Sequence, residues 1–136
     1  MAGYSGTPLP KKLGIKQQFR VALLELPADV KAELASALAN CNVGKDGPLD
    51  FAMIFVKTAD VLKKQFPRFA KQLAAAGMPW VSWPKRASGV ATDLDENAVR
   101  RIGLEAGLVD VKVCAVNEIW SGLKFVIRVK DREKRR

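Results

Sequence analysis

No histidine occurs anywhere in the 136 residues. That absence removes the side chain that titrates nearest neutrality, the Ser-His and Cys-His pairings, and the commonest metal ligand. Cysteine is scarce: Cys41 and Cys114 are the only two. They lie far apart in segments expected to be buried, where thiols of a reducing compartment serve as small core residues. A disulfide or a metal pair is the alternative, although two thiols alone make a poor zinc site. No apolar run approaches the roughly 20 residues that cross a bilayer, and no uninterrupted apolar segment opens the chain as a secretory signal would. The expectation is a cytoplasmic protein with no membrane partner. No catalytic set, metal site or resident cofactor is expected.

What the chain does have is the balance of an ordinary globular domain, with 49% hydrophobic and 27% charged residues. Its length suits one domain with a real core. Lysine and arginine number 23 against 14 acids, a formal charge of +9. Lys11, Lys12 and Lys16 form one basic group. Arg132, Lys134, Arg135 and Arg136 belong to a second, in a tail over 131–136. Such surfaces attract polyanions, so nucleic acid is one candidate partner. The alternative is that they are solvated ends, because no aromatics are interleaved with them as stacking platforms.

Residues 1–18 carry Gly3, Gly6, Pro8, Pro10 and Gly14 with little periodicity. They read as an extended arm with one short turn near Pro10 to Leu13, anchored by Leu9, Leu13 and Ile15. Tyr4, Ser5, Thr7, Lys11 and Lys12 are expected to lie against the sheet edge or a second subunit. The domain proper spans 19–130. Phe19 to Leu26 and Leu49 to Val56 are apolar runs expected of strands covered on both faces. A helix capped by Asp29 and striped by Val30, Leu34 and Leu38 follows the first and ends near Asn40. A loop over Cys41 to Pro48, turning at Lys45-Asp46-Gly47, leads to the second strand. The next helix, striped by Leu62, Phe66, Phe69, Ala70 and Leu73, is expected to break at Pro67 and close at Gly77. Pro79 to Trp83 is a third strand, with Trp80 and Trp83 on opposite faces. A helix capped by Asp93 or Asp95 runs to Gly107. Leu108 to Trp120 and Leu123 to Lys130 then form a hairpin about a Ser121-Gly122 turn.

This alternation predicts an α/β fold: a single three-layer, Rossmann-like domain with a mostly parallel five-stranded sheet and a C-terminal antiparallel hairpin strand. From Leu49 to Val129 the order resembles the class I S-adenosylmethionine-dependent methyltransferase fold, in shortened form. That resemblance implies a Gly-x-Gly-x-Gly turn after the first strand and an acid ending the second. Here the turn is Glu25-Leu26-Pro27-Ala28-Asp29, without the glycines that let backbone amides approach a nucleotide. Over nearly the whole chain a closer resemblance is to a small bacterial family, domain of unknown function number 3052. It is carried by Gly3-Tyr4-Ser5-Gly6-Thr7-Pro8-Leu9, Lys12-Leu13-Gly14-Ile15-Lys16, Gly47-Pro48-Leu49-Asp50, Trp83-Pro84-Lys85, Ser88-Gly89-Val90-Ala91-Thr92-Asp93-Leu94 and Trp120-Ser121-Gly122-Leu123-Lys124-Phe125. The chain departs from its pattern at Gln17-Gln18 and around Glu25-Leu26-Pro27. The family implies a fold and supplies no reaction.

Loops at the carboxyl ends of strands line the crevice of open α/β sheets. The loop after Trp83 therefore provides the candidate ligand site. Lys85 and Arg86 offer cations, Ser88 and Thr92 hydroxyls, and Gly89 room for backbone amides, a set that suits phosphate, sulfate or carboxylate. Asp93 can orient Lys85 or a ligand hydroxyl, and Trp120 with Lys124 can flank a pocket. The structural alternative makes Thr92, Asp93 and Asp95 capping residues, and acids at a helix start work against an anion. Three functions compete: a non-catalytic module for a small anion or a partner protein, a nucleic-acid binder, and a small transferase or hydrolase using Asp93 with Lys85. A homodimer is compatible with each.

Overall fold

The computed structural model describes residues 6–44 and 47–135. The expectations for Tyr4, Ser5, the Lys45-Asp46 turn and Arg136 lie outside them. Strand β1 (Arg20–Leu24), β2 (Asn42–Val43), β3 (Leu49–Phe55), β4 (Leu73–Pro84), β5 (Leu108–Ala115) and β6 (Trp120–Ile127) form one six-stranded sheet. Its order is β2-β1-β3-β4-β6-β5. β1, β3 and β4 run parallel, while β6 runs antiparallel to both of its neighbours.

Helices cover both faces, so the central strands are apolar on both sides. On one face α3 (Ala59–Gln72) and α4 (Glu96–Glu105) place Leu62, Phe66, Val99 and Ile102 against Ile54, Val81, Leu123 and Phe125. On the other, α1 (Leu9–Leu13) and α2 (Ala28–Leu38) place Leu9, Leu13, Val30 and Leu34 against Met53, Phe55, Trp80 and Trp120. Each fully buried leucine or phenylalanine contributes about 1.5–3 kcal/mol. Trp80 and Trp83 belong to opposite cores, as strand alternation requires. The short turn expected in the arm is the helix α1, and its Leu9 and Leu13 are buried anchors.

Several local expectations are corrected. A sixth strand, Asn42–Val43, pairs with β1 inside the segment read as a loop. Asp29 is not the cap of α2; Pro27 holds that position. Pro67 does not break α3, which runs through it. Proline in a helix interior costs about 3 kcal/mol, and Leu62, Phe66 and Ala70 along one buried stripe hold both halves in place. The helix ends at Gln72, before Gly77. Leu73 turns extended and pairs with Leu49. Gly77 belongs to β4, where a Cβ would stand 2.6 Å from the Leu49 carbonyl oxygen.

The hairpin turn is also displaced. It falls at 116–119, where Val116 and Asn117 donate to the Trp120 carbonyl and the Asn117 side chain accepts from Ile119 and Trp120. Ser121 and Gly122 lie inside β6. Glycine suits 122 for another reason: a Cβ there would lie 3.2 Å from both the Trp80 ring and Val116, a tight contact.

Candidate functional site

The loop leaving β4 is built from its own polar side chains. A short 3-10 turn, Arg86–Ser88, is closed by Gly89 at φ +80. Ser88 donates its hydroxyl to the Lys85 carbonyl (2.6 Å) and accepts from Val90 (3.1 Å). Thr92 donates to the Lys57 carbonyl (2.7 Å) and accepts from Leu94 (3.1 Å). Asp93 accepts from the Ala59 amide at 2.8 Å, the exit from β3. Asp95 caps α4 by accepting from Ala98 at 2.8 Å. The hydroxyl protons of Ser88 and Thr92 are thus committed to backbone carbonyls. A shallow depression of about 300 Å3 is lined by Arg86 and 89–95.

The structure separates the other sequence-predicted residues into two groups. Trp120 is buried at the start of β6, edge-on to Phe55 with ring centroids 5.0 Å apart. Lys124 instead stands beside Lys112, which sequence reasoning did not single out, while Lys85 acts with Lys12 and Lys112 on Cys114. Lys112 and Lys124 are register partners on β5 and β6. Lys12 reaches from α1 to the Ala115 carbonyl (2.9 Å), and Lys112 reaches back to the Lys12 carbonyl (3.1 Å). Burial pushes the Cys114 thiol up, against the opposing pull of Lys12, Lys112 and Lys85. Burial, then the charge of Lys112, lowers the Lys124 ammonium.

The basic tail packs as short 3-10 turns. Arg132 donates to the Ile127 carbonyl (3.0 Å), and Arg135 donates to the carbonyls of Ala70 (2.7 Å) and Leu73 (3.0 Å). The Arg135 guanidinium therefore terminates α3 by satisfying carbonyls at its end. Lys134 is exposed, as are Lys11 and Lys16 near α1. A groove of about 580 Å3 opens between α1, the start of α2 and the β5–β6 turn. Its walls include Leu9, Lys12, Asp29, Glu33, Asn117 and Glu118. Sequence reading missed it because it joins three segments far apart in the chain.

No family model and no curated protein matches the sequence. Solved structures do match. An S-adenosylmethionine-dependent methyltransferase from Aquifex aeolicus superimposes with a TM-score of 0.64 at 14% identity, over 86% of this chain and 87% of that one. The fold is methyltransferase-like. Magnesium protoporphyrin IX methyltransferase from Synechocystis, solved with bound SAH, superimposes with a TM-score of 0.58 at 10% identity, over 88% and 78% of the two chains. A ribosomal protein L11 methylase from Lactobacillus delbrueckii gives 0.54 at 12%, over 88% and 74%. Identities this low establish the architecture alone.

Within this methyltransferase-like sheet the first crossover is distinctive. Glu25 occupies the left-handed region at φ 55, and Pro27 with no amide hydrogen caps α2. The Asp29 carboxylate accepts from Val30 (3.0 Å) and from Asn117 Nδ2 (3.2 Å). Backbone amides that would meet a phosphate or a ligand carboxylate at a helix start are here replaced by proline or faced by a carboxylate. Among the described residues no cluster of three or more Cys, Asp or Glu can hold a metal ion, and no helix is long and apolar enough to cross a membrane.

Proposed function

We propose that this chain is a non-catalytic binding module on a shortened methyltransferase-like scaffold, taking a small anionic ligand or a partner protein in the cytoplasm. The observation that carries the reading is the first crossover. Glu25, Pro27 and Asp29 stand where a cofactor cradle needs glycines and unobstructed amides. The resemblance to the bacterial family of unknown function numbered 3052 belongs to the same proposal. Lys124 is the sequence-derived ligand residue that supports an anion best, since Lys112 stands opposite it on the neighbouring strand; Lys85 belongs to the same proposal. Arg86, Ser88, Gly89, Thr92 and Asp93 shape the neighbouring loop.

Titration calorimetry with S-adenosylmethionine and S-adenosylhomocysteine tests the reading. No heat at millimolar ligand is expected, and no shift in melting temperature. Saturable binding of either compound, abolished by Asp29→Lys, would sink it.

A further inference from the structure

The passage from α3 into β4 holds more chain than its anchors require. Leu73 pairs with Leu49 and Met78 with Phe51, so five steps of β4 answer two steps of β3. Two strand steps cover about 7 Å, whereas five fully extended ones would cover about 16 Å. The register shift at this point absorbs the surplus. One further turn of helix fits the same anchors, since five helical residues rise about 7.5 Å.

The residues suit that second conformation better than the one they adopt. Alanine has the highest helix propensity and is depleted in strands, and Ala74, Ala75 and Ala76 follow one another here. Ala76 is exposed and the other two are half-buried, so little packing holds them extended. Leu73 lies three residues after Ala70 and seven after Phe66, and is buried in the same core as both. A helix would keep it on that side. Gly77 would then stand just past the last turn, where glycine ends helices.

The C-terminal tail opposes the extra turn. Continuing α3 requires the Ala70 carbonyl to accept from the Ala74 amide, and the Leu73 carbonyl from the Gly77 amide. Arg135 donates to those two carbonyls from a single nitrogen, at 2.7 and 3.0 Å. We infer that Arg135 is a conformational latch. While its guanidinium holds the Ala70 and Leu73 carbonyls, 73–77 stays extended; on release α3 grows by one turn and ends at Gly77. The tail thereby sets the length of α3, at the end of β4 opposite the loop over 85–95.

NMR of the full chain tests this, comparing Arg135→Gln with Arg132→Gln. Arg132 is the control because it donates to the Ile127 carbonyl instead. Cα shifts over 74–76 are expected to be strand-like in the parent and in Arg132→Gln. In Arg135→Gln they should move to helical values, with new proton contacts between Leu73 and Ala76. Adding Ala75→Gly to Arg135→Gln should abolish the helical shifts, because glycine removes the propensity that drives the turn. Strand-like shifts retained in Arg135→Gln overturn the inference. So do averaged, coil-like shifts, which would leave Arg135 a simple helix terminator with no second conformation behind it. The outcome is independent of the S-adenosylmethionine titration, so the two readings fail separately.

Discussion

Trp80 donates its indole N–H to the carbonyl oxygen of Leu13 at 2.9 Å, across 67 positions of sequence. Both side chains are fully buried, so this bond lies away from water and fastens α1 to the centre of the sheet. Trp80→Phe keeps a ring but orphans the carbonyl, which costs about 1–3 kcal/mol before any packing loss. Urea unfolding should report that loss, and amide exchange should quicken over 9–15 ahead of the remaining core.

Gly103 of α4 faces Phe125, and a Cβ there would lie 2.0 Å from the ring. Alanine gains about 1 kcal/mol of helix propensity over glycine. The ring has no room to yield, being fully buried and packed at 5.2 Å on Phe66. Overpacking of about 1–3 kcal/mol wins, so Gly103→Ala should lower the melting temperature. Pairing it with Phe125→Leu should recover part of the loss.

Asp93 and Thr92 clamp the loop after β4 onto the exit of β3, through the Ala59 amide and the Lys57 carbonyl. Asp93→Ala should cost about 1 kcal/mol, the usual value of a lost helix cap, and Asp93→Asn less.

Lys124 gives the protein a pH dependence on the alkaline side. Burial, then the neighbouring Lys112 charge, holds its folded pKa below the ordinary 10.5. At neutral pH the group is protonated in both states, and the fold bears the cost. As pH rises through the folded value the folded state releases its proton first. The unfolded state then binds more protons, and stability climbs until 10.5 is passed. Lys124→Met should therefore be more stable than the parent near neutrality, with the advantage shrinking across that window in chemical denaturation.

Most of the architecture was readable because burial on both faces leaves an unbroken signal, as in Leu49–Phe55, where every residue but Asp50 is buried. The hairpin was misread for a definite reason. Ser121-Gly122 has turn chemistry, yet Gly122 answers to the Trp80 ring across the sheet, and the true turn depends on the Asn117 side chain. The lysine face was hidden by a register shift between Asp110 and Lys112. One extra residue in a strand reverses the parity of everything after it, so alternation read from Leu108 assigns Lys112 to the wrong side. Lys124 could be proposed from chain order; its pairing with Lys112 could not. Pro67 shows the limit of local rules, because a buried stripe outweighs a missing amide.

The placement of β6 between β4 and β5 carries a kinetic consequence. During synthesis β5 emerges first, and β6, the strand that hydrogen-bonds it among the described residues, is made afterwards. Until Trp120–Ile127 slots in, the nascent chain presents two raw sheet borders instead of one. Native pairing on this side of the molecule must therefore be completed after β6 clears the ribosome, and that interval is when the polypeptide is most exposed to mispairing with its neighbours.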